Sequence, residues 1–399
     1  MNDILKISLT FIVMLLLLRK KLNVGYVLLS CSAVLFILYL MPPMKILNSF
    51  SGTLTNPVTL QLLIALSFIR MLEMILRERD LLKRMMNLVK GVLRNKRAVA
   101  VSMPLLIGLM PSIGGAYFSA PMVSEVTQGL KISAEVKAFI NYWYRHPWEF
   151  CLPLYPGIVL ASVICGIPMR SFLLLNLSYA VTMAVSGQFF GIKDITGRFD
   201  HIAPINKDGV LCFIPIVALV LLVIVFNVSL CYALIWIVIL LIAFFRMDFK
   251  KIKEIFFYGF SVDIVLLILG IMLFKETLEV SGAVKNLSQF FGSNNVPIIY
   301  ILFILPFISG FLTGITTGFV ASSFPILLSL HGVDAYGLSF AFACGYIGVL
   351  LSPVHACLVL TKDYFKADMS GIYKKTIPAV MVILIVAIIQ YLILENKIF

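Results

Sequence analysis

Two interruptions in otherwise apolar sequence hold the residues best suited to chemistry. The first reads Gly108-Leu109-Met110-Pro111-Ser112-Ile113-Gly114-Gly115, followed by Pro121-Met122. The second reads Gly310-Phe311-Leu312-Thr313-Gly314-Ile315-Thr316-Thr317-Gly318, followed by Pro325-Ile326. A helix broken at membrane depth presents N–H groups at its positive end, which suits an anion. It also frees carbonyls that can hold Na⁺. Hydroxyls at Ser112, Thr313, Thr316 and Thr317 serve either partner, and the glycines let backbone approach a solute closely. Ser112, Gly114, Gly115, Thr313, Thr316 and Thr317 are thus candidate substrate contacts. Pro111, Ser112, Gly314 and Thr316 are candidate cation contacts. Small residues of this kind also pack helices together in membranes. The pairing of the breaks favours a site, because matched interruptions in two halves of a transporter point to its binding centre.

A second constellation is Arg145-His146-Pro147-Trp148-Glu149, inside a long apolar stretch. Pro147 removes a helix hydrogen bond, and ionisable residues within a span are functional candidates by default. Arg145 presents a fork suited to a carboxylate or other oxyanion, and the i, i+4 spacing also allows a structural pair with Glu149. His146 and Glu149 are candidate proton carriers. Ser352-Pro353-Val354-His355 reads as the matching break in the second half. Carbonyls near Ser352 and Pro353 would complete a cation site there, with His355 as a proton site or a hydrogen-bonded core histidine. Asp263 reads as a polar link between helices, Glu125 as lying near the inner surface, and Glu73 as a partner of Arg70.

These residues need a membrane scaffold. The 399 residues are 61% hydrophobic and 13% charged, with mean hydropathy +1.04, against about a quarter charged in soluble domains. The start of the chain shows no basic segment or small-residue cleavage site of a signal peptide. The seven cysteines are scattered through apolar segments without a CxxC motif or a local Cys/His cluster, so they read as small buried hydrophobes. No metal is expected beyond Na⁺ as a coupling ion, and no cofactor.

Apolar runs predict crossing helices near 4–18, 25–41, 57–76, 137–165, 171–189, 210–226, 228–246, 255–274, 337–360 and 376–394. The stretches 98–127 and 296–329 contain the paired breaks and read as re-entrant hairpins, near 104–127 and 306–329. With both termini outside, 24 of the 32 Lys and Arg fall in inner segments and 6 in outer ones. That is the positive-inside pattern. It explains the net charge of +13 through topology and contact with membrane lipid, and leaves no basic module for nucleic acid.

Each half then holds five crossings and one hairpin, and an odd number of crossings inverts the second half. The predicted fold is an all-α polytopic membrane protein of two inverted repeats. Residues 1–190 form the first, with a broken helix near 137–165, and 210–399 the second, with a broken helix near 337–360. Residues 191–209 form an inner linker. Phe68, Leu72 and Glu73 match Phe274, Leu278 and Glu279. Amphipathic stretches follow both: Leu82, Met85, Met86, Val89, Val92 and Leu93 in the first half, and Val280, Ala283, Val284, Leu287 and Phe291 in the second.

This pattern resembles the ion-transporter superfamily, which includes divalent-anion/sodium symporters, sodium/proton antiporters and arsenite, gluconate and citrate permeases. In detail, Asn141-Tyr142-Trp143-Tyr144-Arg145-His146-Pro147-Trp148-Glu149, Leu154-Tyr155-Pro156-Gly157 and Leu351-Ser352-Pro353-Val354-His355 resemble a prokaryotic branch known only as a domain of unknown function. The resemblance implies a dimerising scaffold domain and a transport domain of hairpins and broken helices that moves as an elevator. The symporters carry Ser-Asn-Thr at both tips, whereas neither tip here contains Asn. The expected function is a secondary active transporter in a prokaryotic plasma membrane, moving a small organic anion with Na⁺ or H⁺. A cation/proton antiporter is the alternative. An intramembrane enzyme is remote: HExxH, GxSxG and paired catalytic carboxylates are absent from the sequence.

Overall fold

The computed structural model describes residues 3–20, 22–111, 115–193, 195–198, 208–283, 286, 296–328, 330 and 332–395. The tip residues Ser112, Ile113 and Gly114, most of the 191–209 linker, and Val284, Leu287 and Phe291 of the expected second amphipathic helix lie outside them. Among the described residues every regular element is helical.

Six segments are long and apolar enough to cross a membrane: Pro57–Glu78, Ala134–Ile164, Met169–Phe190, Phe249–Val280, Ala335–Phe365 and Met369–Glu395. Shorter apolar helices include Val24–Leu38, Leu230–Phe244, Ile298–Thr313 and Thr316–Leu327. The last helix leaves Ile385, Ile389, Leu392 and Ile393 exposed on its outer face. Such apolar surface suits lipid rather than water. The chain is a multi-pass membrane protein.

Several helices depart from the expected boundaries. Pro43–Thr55 is a helix between two expected crossings, with proline at its first turn, where a missing N–H costs nothing. It packs on Val262–Val280, which begins after a separate helix, Phe249–Gly259. The amphipathic Leu81–Val92 forms as expected: Met85 and Met86 are buried and Lys83 and Arg84 exposed, although Val92 is exposed too.

The interrupted segments fold as matched units. Lys96–Gly108 packs on Gly115–Val126 as one hairpin, and Ile298–Thr313 on Thr316–Leu327 as the other. Each of the four helices carries one internal proline: Pro104, Pro121, Pro306 and Pro325. Each hairpin lies backbone-to-backbone on a broken helix. A Cβ at Gly108 would stand 2.2 Å from the Arg145 carbonyl oxygen, and one at Gly310 would stand 2.1 Å from that of Gly345.

The first broken helix runs Ala134–Trp143, Trp148–Cys151 and Pro156–Ile164; the second runs Ala335–Leu351 and Ala356–Phe365. The unwound Ser352-Pro353-Val354-His355 has its match in Leu152-Pro153-Leu154-Tyr155. Leu152 and Ser352 are extended (φ/ψ −104/124 and −70/124), as are Tyr155 and His355 (−85/122 and −63/118). The break around Arg145-His146-Pro147 is therefore an additional one, contrary to the expected pairing of that segment with 352–355. Its cause is local: Pro147 offers no N–H, so the helix ends at Trp143.

The segments read as inner touch one another. Lys251 Nζ meets Glu78 (2.5 Å), Lys90 Nζ meets Glu125 (2.7 Å), Arg97 Nη2 donates to the Lys193 carbonyl (2.9 Å), and Lys375 Nζ to that of Phe190 (3.3 Å). Asn23 Nδ2 donates to Asp263 at 2.9 Å, which makes Asp263 a link between helices. Glu73 sits 3.7 Å from Arg77 rather than on Arg70, whose guanidinium lies 4.5 Å over the Tyr258 ring.

Candidate functional site

The extra break around Pro147 creates the first half of a buried centre. The His146 N–H bonds the Trp143 carbonyl, which frees the Tyr142 carbonyl from the helix ladder. The His146 ring takes that carbonyl with Nδ1 at 2.6 Å. A carbonyl only accepts, so Nδ1 carries a hydrogen, and in the neutral ring Nε2 holds the lone pair.

The second half comes from the hairpin tip and the other broken helix. Gly314 ends Ile298–Thr313 in the left-handed region, φ 64°, where glycine is unstrained. Its carbonyl meets His355 Nδ1 at 2.6 Å. The same argument places a hydrogen on Nδ1, so that in the neutral ring Nε2 carries the lone pair. The two Nε2 atoms face each other at 3.1 Å, between residues on opposite halves of the chain.

Around this pair gather a thiol, a carboxylate and a guanidinium. Ligand atoms of His146, His355 and Cys357 all lie within 4.8 Å of one another. Glu149 Oε1 is 3.8 Å from His146 Nε2, and its Oε2 accepts from Thr316 Oγ1 at 2.6 Å. Arg145 Nη1 donates to Cys357 Sγ at 2.6 Å. Arg145, His146, Glu149, Thr316, His355 and Cys357 are all buried, at 9% exposure or less. Stripping charge of water costs several kcal/mol per ion, so each of these groups depends on its partners.

A shell of hydroxyls and amides fixes the frame. Tyr346 OH donates to the His146 carbonyl (3.1 Å) and Tyr142 OH to that of Leu350 (2.9 Å). Tyr155 OH donates to the Gly108 carbonyl (2.5 Å). Tyr155 thus reaches from its unwound turn to the first hairpin, as its counterpart His355 reaches to the second. Asn141 Nδ2 bridges the Ala116 carbonyl and Thr361 Oγ1, both at 3.0 Å.

A family model described as "Protein of unknown function (DUF401)" matches residues 3–394. The chain belongs to the DUF401 family. No curated protein matches it.

In this DUF401 protein the structure brings together Arg145, His146, Glu149, Gly314, Thr316 and His355. Ser352 lies buried in the unwound turn, Pro353 is exposed, and Thr313 Oγ1 bonds within the hairpin tip. Gly115 begins the helix after the first tip, Pro111 precedes that tip, and Thr317 is half-buried beside Thr316. Ser112 and Gly114 fall outside the described residues. Sequence reasoning missed Cys357, Tyr155, Tyr142 and Tyr346. The adjacency His355-Ala356-Cys357 was the available signal for Cys357, which the absence of a CxxC motif obscured.

Proposed function

We propose that this protein is a secondary active transporter whose transport centre is the buried cluster between the two broken helices and the second hairpin. The observation that carries the reading is the convergence of two unwound helix segments, Tyr144–Pro147 and Ser352–His355, with the tip residues Gly314 and Thr316 on one set of ionisable side chains. Irregular backbone at membrane depth survives only where protein or a cavity covers it, and ionisable groups there mark solute and proton pathways.

In this reading the solute is a small organic anion recognised by Arg145 and the hairpin tips. The imidazole pair or a tip-bound Na⁺ supplies the coupling. The two inverted repeats are supported by the shared order of hairpin then broken helix, and by the equal 31-residue lengths of Ala134–Ile164 and Ala335–Phe365. Hairpins seated through Gly108 and Gly310 would travel with the broken helices, which suits elevator movement against a dimerised scaffold. Both termini lie outside, in a prokaryotic plasma membrane, with the lysine- and arginine-rich segments inside.

A cation/proton antiporter is the second reading, favoured by Glu149 and two imidazoles meeting at one point. Purified protein in liposomes tests both. Carboxylate uptake driven by an imposed Na⁺ or H⁺ gradient supports the first, and cation exchange without a solute supports the second. Turnover of a substrate with no gradient present would replace both with an enzyme.

A further inference from the structure

The imidazole pair presents a geometric problem whose solution is a ligand. Both Nδ1 hydrogens are committed to carbonyls, of Tyr142 and Gly314. The two Nε2 atoms converge at 3.1 Å, and in the neutral rings each carries a lone pair there. Between neutral rings two lone pairs at that distance repel unless an electrophile, a proton or a metal ion, sits between or beside them. Cys357 Sγ approaches the same point, and Glu149 Oε1 stands 3.8 Å from His146 Nε2.

The geometry points to a binding site for a nitrogen- and sulfur-preferring d-block metal ion of the Zn²⁺ class. Its ligands are His146 Nε2, His355 Nε2 and Cys357 Sγ, with Glu149 beside them. Three arguments support an ion over a lone shared proton. A proton needs two acceptors, whereas three soft or borderline donors meet here, with a carboxylate alongside. Two nitrogens bound to one tetrahedral zinc lie about 3.3 Å apart, given ~2.0–2.1 Å bonds, close to the spacing seen. The surroundings also have the form that metal histidines require. Each ring donates its other N–H to a backbone carbonyl, which fixes tautomer and orientation. Glu149 is held by Thr316, and Cys357 by the Arg145 guanidinium.

The inference stands apart from the transport reading: a metal could bind a centre that moves nothing, and an anion could cross without a metal. The test uses full-length protein in detergent, stripped by chelator and titrated with Co²⁺ as the coloured stand-in for Zn²⁺. The expected result is sulfur-to-cobalt charge-transfer absorption with tetrahedral d–d bands, saturating at one ion per chain and bleached by Zn²⁺. Cys357→Ser should remove the charge-transfer band, and His146→Ala or His355→Ala should weaken Zn²⁺ binding about 100-fold. Cys344→Ala, at a buried cysteine outside the cluster, should leave the titration unchanged. The wild-type spectrum decides the matter even if a ligand variant fails to fold. A wild type without the charge-transfer band, or a band that persists in Cys357→Ser, overturns the proposal and leaves the imidazoles to a proton.

Discussion

His146 and His355 stand 209 positions apart in the chain, yet their Nε2 atoms face each other at 3.1 Å. Neither ring is free to turn away, because each is tied through Nδ1 to a carbonyl freed by irregular backbone. The contact joins the extra break of the first broken helix to the unwound turn of the second through one pair of atoms.

Thr316 is the only described side chain that hydrogen-bonds Glu149 Oε2. Thr316→Val keeps the shape and removes the hydroxyl from a buried carboxylate. We expect a stability loss of about 1.5–3 kcal/mol, read as a lower melting temperature in detergent, with Thr316→Ser close to wild type. Equal melting of the valine and serine variants would show that the hydroxyl contributes nothing.

Gly108→Ala and Gly310→Ala each place a methyl about 2 Å from a carbonyl oxygen, so backbone must shift. Overpacking of this kind costs about 1–3 kcal/mol. Gly52→Ala meets only the flexible end of Glu276, at 3.2 Å, and should stay within about 0.5 kcal/mol of wild type. Thermal unfolding of the three variants side by side measures the difference.

Arg145→Lys retains charge and loses the fork. If Arg145 recognises the solute, this variant should weaken carboxylate affinity by about tenfold or more while Glu149→Gln leaves affinity nearly intact. Calorimetric titration and melting temperature together check this. Comparable loss of stability in both variants, with no ligand response in the wild type, would make Arg145 a structural residue.

Single cysteines at Lys83 and Lys45, both exposed, should react with an impermeant thiol reagent from opposite faces of the membrane. Lys83 should report the inner face and Lys45 the outer. Labelling of both from one face contradicts the orientation drawn from the positive charges.

The sequence was most legible where one residue type has one physical consequence. Paired Gly/Thr/Pro interruptions marked both hairpins, because glycine and proline end helices regardless of context. The last helix and Met169–Phe190 announced themselves by unbroken apolarity. What stayed hidden depended on contact across the two halves. Pro147 was visible, but the segment that matches 352–355 in backbone angles is Leu152–Tyr155, and no local feature ranks one proline break above another. Cys357 looked like any buried cysteine, because a single thiol acquires meaning only when Arg145 and two imidazoles arrive from elsewhere. Pro43–Thr55 escaped because a short helix with a mixed surface lacks the apolar run that signals a span.

The centre also imposes an order on biosynthesis. Arg145, His146 and Glu149 leave the ribosome while Thr316 and Cys357 are still 167 and 212 residues from being made, counted from Glu149 and Arg145. At ~5–20 residues per second the delay lasts roughly 10–40 s. During that interval Arg145 and Glu149 of the segment Ala134–Ile164 lack their partners from the second half, and a charge at a helix centre costs about 2.5–3.5 kcal/mol. A nascent chain stalled between the two halves is thus expected to hold this segment less firmly in the bilayer than the finished protein does.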